Sequence, residues 1–109
     1  MGNKMKPHYR QGDVLIRRVD SISKTNPMER EQGLVVLAHG EVTGHAHAIE
    51  EEGVTQYGTT EPGVTALEIT QAMAMLQHEE HGTIELPQGI YEVIRQREYS
   101  PEAVRNVAD

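Results

Sequence analysis

Glycine and proline divide this chain into short segments, and this spacing limits the folds that it can adopt. The 109 residues include 10 glycines and 5 prolines. The apolar runs between these turn signals are short and rich in β-branched residues, which is typical of strands. Parallel sheets need long helical crossovers, and the chain leaves no room for them. The sequence therefore predicts one all-β domain over residues 1–109.

The apolar segments give the predicted strands. They cover residues 11–19, 34–40, 43–49, 54–58, 64–70, 83–89 and 90–99. Residues 71–78 fit either a strand or a helix, and their short length and neighbours favour a strand. Residues 20–33 are polar and predict a connecting loop. Ser100 as a helix N-cap and Pro101 at the first helical position predict a short C-terminal helix over 100–109.

The amino-acid composition argues against several kinds of partner and binding site. The chain has neither Phe nor Trp, so its core is modest, and we expect self-association into a homodimer or larger assembly. A formal net charge of −7 argues against nucleic-acid binding, which needs a basic surface. The absence of cysteine excludes disulfides and thiolate metal sites. No segment has the length of a membrane span or the apolar core of a signal peptide, so we expect a cytoplasmic protein.

Two pairs of histidines carry the chemistry of this sequence. His45 and His47 are two residues apart, and alternation along a strand directs both side chains to one face. His78 and His81 are three apart, and a tight turn over 79–82, supported by Gly82, would fold His81 back towards His78. Neutral imidazole is a good ligand for divalent transition metals. We therefore predict that the two pairs meet at one ion, which could be Zn, Ni, Fe or Mn.

The first histidine pair resembles the metal motif of the cupins. The matching residues follow in a similar order, Gly40, His45, His47, Glu51 and Gly58. The resemblance implies a cupin-like barrel and a carboxylate ligand from Glu51. Around the second motif, Pro87 and Gly89 match, but Glu92 stands where a cupin has its last histidine. His78 or His81 would have to replace that ligand.

A second resemblance spans nearly the whole chain. The segments "GDVLI", "GEVTGHAHAI" and "HEEHGTIELPQGIYEVIRQREYSP" are similar to a family of small bacterial and phage-associated proteins without an assigned function. This resemblance implies that the histidine pairs and the "QREY" strand form one recurring unit, and it implies no reaction. The seven or eight short predicted strands, with turn signals between them, predict a small barrel or sandwich, cupin-like or β-clip-like.

Two functions follow from these observations. The first is a metal-binding β protein, whose enzyme version would be a cupin-like oxygenase, isomerase or lyase. Such a centre keeps one coordination position open for a small-molecule ligand. The second is a non-catalytic assembly module whose histidines line a subunit contact. Metal content separates the two, because only the first requires an ion.

Overall fold

A computed structural model describes residues 7–40 and 44–96, and this part of the chain folds into seven strands. They are β1 (His8–Gln11), β2 (Val14–Arg18), β3 (Val35–His39), β4 (Ala46–Ile49), β5 (Val54–Gly58), β6 (Val64–Gln77) and β7 (Ile84–Arg95). No helix occurs among these residues, so none could cross a membrane. The predicted all-β class is confirmed, whereas the helix predicted over 100–109 lies outside the described residues.

All seven strands belong to one antiparallel sheet. Its order is β1-β2-β7-β6-β4-β3, and β5 also pairs with β6. Strand β6 is central because it pairs with three other strands. Strand β7 pairs along one edge of β6, and the other edge pairs with β5 near the start of β6 and with β4 near its end. Two parts of the chain that are distant in sequence, β4 and the end of β6, thereby become neighbours.

The first hairpin differs from the sequence-based prediction. We predicted one strand over 11–19, but Gln11 ends β1 and Val14 begins β2. Gly12 and Asp13 form the two-residue turn between them, and Gly12 has a φ of 60°. A glycine with positive φ at the first turn position is what a type II′ hairpin turn needs. The turn signal at the start of the predicted strand is the turn between two strands, and β1 precedes it.

The longest hairpin, β6 with β7, is continuous where the sequence predicted interruptions. The predicted strands 64–70 and 71–78 form the single strand β6, and 83–89 and 90–99 lie together in β7 as far as Arg95. The pairing shifts register between Ile69 and Met73, and the residues opposite are Gly89 and Pro87. Proline is tolerated at such an irregularity because the ladder hydrogen bond is already lost there. Pro87 and Gly89 therefore mark a bend in the hairpin and not the end of a strand.

Aliphatic side chains from five strands form most of the core. The most deeply buried side chains are Val14, Ile16, Leu37, Ile49, Leu67, Ile69, Leu76, Leu86, Tyr91 and Val93. In β4 the buried positions alternate, since Ile49 and His47 are buried whereas Ala46 and Ala48 are only partly buried. His47 therefore enters the protein interior on the same face as core residue Ile49.

Candidate metal centre

Strand pairing brings the two histidine pairs together. In the β4–β6 ladder Ala48 lies opposite Gln77 and Ile49 lies opposite Leu76. Continuing this register by one residue sets His47 opposite His78. His81 follows in the connection between β6 and β7, at the same end of the sheet. The meeting of the two pairs thus follows from the register of two strands that are distant in sequence.

The four imidazoles form a connected group, which we call the histidine cluster (His45, His47, His78 and His81). Ring centroids are 4.3 Å apart for His47 and His78, and 4.6 Å apart for His78 and His81. The third side of this triangle, between His47 and His81, is 5.9 Å. His45 contacts His78 at 5.8 Å, with the two rings nearly perpendicular. His78 therefore lies in the middle of the cluster.

These spacings suit a shared ion. Two imidazoles on one tetrahedral zinc, with zinc–nitrogen bonds of about 2.0–2.1 Å, have ring centroids roughly 5 Å apart. The measured spacings of 4.3–5.9 Å lie on both sides of that value. Among the described residues, one ligand atom each from His45, His78 and Glu79 lies within 4.8 Å of the others, and this group does not include His47 or His81. Ligand nitrogens on one ion are roughly 3.4 Å apart, so the side chains would have to close by about 1.5 Å.

Carboxylates surround the histidine cluster. Oε2 of Glu80 is 3.4 Å from Nδ1 of His45, and Oδ1 of Asp13 is 3.9 Å from Nε2 of His47. Nδ1 of His45 is buried and makes no hydrogen bond to the described residues, although Glu80 lies close to it. Glu79 accepts a hydrogen bond of 2.9 Å from the amide of Ala46. The cluster therefore lies in a negative environment, which favours a cation.

The pKa of Glu79 lies below the ordinary value of a glutamate. The largest cause is the hydrogen bond from the backbone amide of Ala46, and the nearby His45 and His78 lower this pKa further. The carboxylate of Glu79 is therefore ionised through the neutral pH range. An ionised carboxylate is the form that ligates a metal ion.

One hydrogen bond in the cluster constrains the chemistry of His78. Its Nδ1 accepts a hydrogen bond of 3.0 Å from the amide of Glu80. A neutral His78 ring in this arrangement carries its proton on Nε2. His78 can ligate an ion only if the ring turns over or Nδ1 releases this amide. Binding through His78 therefore requires either a turned ring or a local rearrangement of the turn at Glu79 and Glu80.

Glu51, the carboxylate ligand implied by the cupin resemblance, is placed elsewhere. It follows the end of β4, whereas His45 precedes its start, and six residues of extended chain span about 20 Å. Its Oε1 accepts a hydrogen bond of 3.2 Å from the amide of Met75. Among the described residues, Glu79, Glu80 and Asp13 provide the carboxylates near the histidines.

A pocket of about 300 Å³ opens beside the cluster. Its lining consists of Leu34, Gly44, Ala46, Ala48, Glu50, Gln77, His78 and Glu79. The alanines of β4 have side chains that are too small to fill this space. Because His78 and Glu79 belong to both the pocket and the surroundings of the cluster, a small molecule in the pocket would reach the edge of the histidines.

Three residues that the sequence analysis did not identify lie next to the histidine cluster in the structure: Gln11, Gly12 and Asp13. A Cβ atom on Gly12 would lie 2.9 Å from Nε2 of His81 and 3.2 Å from Cε1 of His47. Oε1 of Gln11 lies 2.8 Å from Nδ1 of His47. In sequence these residues predict only a turn, and their separation from the histidines hides the contact.

The comparisons with known proteins identify a family but no activity. No curated protein matches the chain, and neither does any solved structure. Residues 10–96 match the model of a family that is described as a domain of unknown function, DUF8820. The matched range contains all four members of the histidine cluster and the three residues next to it. Because it covers most of the 109-residue chain, this protein belongs to the DUF8820 family.

Proposed function

We propose that this protein binds one divalent transition-metal ion at the histidine cluster. The observation that carries the proposal is the convergence of four imidazoles from two separate segments, with centroid spacings of 4.3–5.9 Å. Carboxylates of Glu79 and Glu80 are near enough to complete the coordination shell. Histidines that are only polar surface residues are exposed to solvent. His47, in contrast, is only 2% exposed.

The donor set narrows the choice of metal. Nitrogen ligands suit zinc and nickel, whereas manganese is held better by carboxylates and water. A shell made mainly of imidazoles therefore favours zinc or nickel over manganese, with iron between them. The pocket beside His78 and Glu79 would give a small-molecule ligand access to the ion. This access is what a cupin-like catalytic centre needs, and it is the basis on which an enzymatic activity would be sought.

The competing function is an assembly module whose histidines line a subunit contact. His47 argues against it, because its side chain is enclosed by its own chain. Its neighbour in the centre of the cluster, His78, is also partly buried within the chain. Within the cluster, only His81 is exposed enough to face another subunit. The burial of His47 and the partial burial of His45 and His78 within a single chain therefore favour an internal ligand over a partner protein.

Metal binding can be tested with the full chain purified without a histidine tag. Elemental analysis and calorimetric titration with zinc and nickel should give one ion per chain at neutral pH. His45→Ala, His47→Ala and His78→Ala should each weaken binding by about tenfold or more, because the remaining donors cannot fill the shell. Affinity should fall as the pH is lowered, since protons compete for the imidazoles.

Two control variants separate the site from the rest of the surface. His39 is 68% exposed in its side chain and pairs with Glu31, so His39→Ala should leave affinity unchanged. Glu51→Gln should also leave it unchanged, whereas Glu79→Gln should reduce it. A parent protein that takes up no ion, or equal affinity in the parent and His47→Ala, would contradict the proposal. A change in oligomeric state without loss of metal would favour the assembly module.

A further inference from the structure

Gln11 is a buried side chain with every polar atom in use. It ends β1 and is 2% exposed. Its Nε2 donates hydrogen bonds to the carbonyl oxygens of Leu76, at 3.1 Å, and Gly82, at 2.8 Å. Its Oε1 lies 2.8 Å from Nδ1 of His47. A primary amide has two N–H donors and one acceptor oxygen, so both donors and the oxygen have partners here.

The two carbonyl oxygens determine which way the amide of Gln11 points. Carbonyls only accept hydrogen bonds, so the NH₂ group must face Leu76 and Gly82. The oxygen of Gln11 then faces His47, and an oxygen cannot donate. Nδ1 of His47 must therefore carry the proton. In the neutral ring this places the lone pair on Nε2, the nitrogen that is 3.9 Å from Oδ1 of Asp13.

We infer that Gln11 is a positioning residue, which holds His47 in the Nδ1–H tautomer so that Nε2 is the metal-binding atom. This inference rests on the proposed metal-binding function. Histidines that ligate metals commonly donate their second N–H to a carbonyl or carboxylate oxygen, which fixes tautomer and ring orientation. In this protein the amide oxygen of Gln11 supplies that acceptor from a different strand.

Gln11 also positions the second histidine pair. Gly82 directly follows His81, and Leu76 precedes His78 by two residues. One amide group therefore holds the connection that carries His78 and His81 against the strand that carries His47. This arrangement holds the backbone segments that carry the two pairs together before an ion arrives, so that binding requires only side-chain and turn adjustments.

Variants of Gln11 can separate positioning from simple packing. Gln11→Met keeps the approximate shape and removes all three hydrogen bonds. Gln11→Glu keeps an acceptor for His47 and removes both donors to the carbonyls. Gln56 is a matched control, because it is 5% exposed and donates to Oγ1 of Thr65, away from the histidines. Gln56→Met removes a buried amide of the same kind without touching the cluster.

The imidazole tautomer of His47 can be measured directly from ¹⁵N chemical shifts of the metal-free protein. A pH of about 8 is suitable because it is above the ordinary histidine pKa of about 6.5. The parent should show a protonated Nδ1 and an unprotonated Nε2 for His47. Gln11→Met should lose this signature and weaken zinc binding by about 10–100-fold, as expected for loss of an outer partner. Gln11→Glu should keep the signature, and Gln56→Met should change neither property.

The outcomes distinguish this inference from the metal site itself. A protonated Nε2 in the parent, or zinc affinity in Gln11→Met within about twofold of the parent, would overturn the role of Gln11 while leaving the metal site intact. A parent with the expected tautomer that takes up no zinc would overturn the metal site, and the positioning role with it. If Gln11→Met does not fold, the parent spectrum and Gln11→Glu still decide the question.

Discussion

At the scale of single residues, Gly12 shows how closely the backbone approaches the histidine cluster. Its φ of 60° is in the left-handed region, where a side chain is disfavoured. A Cβ atom there would also lie 2.9 Å from Nε2 of His81, so the exposed His81 side chain would have to move away. Gly12 is therefore needed for the hairpin turn, and a side chain at this position would displace His81 from the histidine cluster.

Gly12→Ala should consequently impair both stability and metal binding. The matched control is Gly33→Ala, since Gly33 has a φ of 85° and a Cβ added there would meet no described atom within 4 Å. Both variants should lower the free energy of unfolding by about 1 kcal/mol or more, because alanine is strained at positive φ. Only Gly12→Ala should weaken zinc binding, by about tenfold or more. Denaturant unfolding and calorimetry measure the two effects, and equal zinc affinity in both variants would contradict the expectation.

At the scale of elements, β7 shows how a bent strand is held in place. Tyr91 is fully buried, and its hydroxyl donates to the carbonyl oxygen of Pro87 at 2.5 Å. The guanidinium of Arg18, from β2, lies 5.6 Å from the centre of the Tyr91 ring. The ring of Tyr9, from β1, contacts the same ring edge-on at 6.3 Å. One side chain thus links three neighbouring strands next to the bend at Pro87 and Gly89.

The burial of Tyr91 predicts a loss of stability at alkaline pH. Burial raises the pKa of its phenol above the ordinary value of 10.0, although the charge of Arg18 opposes this shift. The stabilisation is complete below the ordinary pKa of 10.0 and is lost as the pH rises through the higher pKa of the folded state. Thermal unfolding between about pH 8 and pH 11 should show the decline. Tyr91→Phe should flatten it, and an unchanged slope in that variant would assign the decline to other groups.

At the scale of the whole molecule, the sheet curls so that distant strands meet. In the strand order β1 is at one end and β4 is next to the other end. Even so, Gln11 at the end of β1 contacts His47 of β4, and Gly12 approaches His47 and His81. The histidine cluster therefore lies where the two sides of one sheet approach each other. Its geometry depends on the curvature of the entire sheet and not on a single hairpin.

Self-association is the prediction that concerns the whole molecule. A chain of 109 residues without Phe or Trp has little apolar material for its own core, and association is a common remedy. Light scattering after size exclusion should give twice the 12.2 kDa of one chain, because two-fold dimers are the commonest assembly. The measurement should be repeated with EDTA and with zinc to separate metal-mediated contacts. A mass of 12.2 kDa at micromolar concentration under all three conditions would contradict the prediction.

The class of the fold and several of its elements could be predicted from local sequence patterns. Strand β5 has the predicted bounds, Val54–Gly58, because a β-branched residue follows one glycine and the next glycine ends the segment. The two histidine pairs were also identified as groups that could meet, since alternation and turn chemistry act over a few residues. These features are local, and local preferences are readable in a single sequence.

The way these parts pack together depends on contacts between residues that are distant in sequence. Pro87 and Gly89 lie within a strand because the opposite strand shifts register there, and no local signal shows that shift. Glu79 lies beside Ala46, next to the first histidine pair, because the β4–β6 register places it there, and no local motif shows this contact. Gln11 meets His47 across 36 residues of sequence. Such contacts depend on the register and curvature of the complete sheet, which many distant pairings fix together.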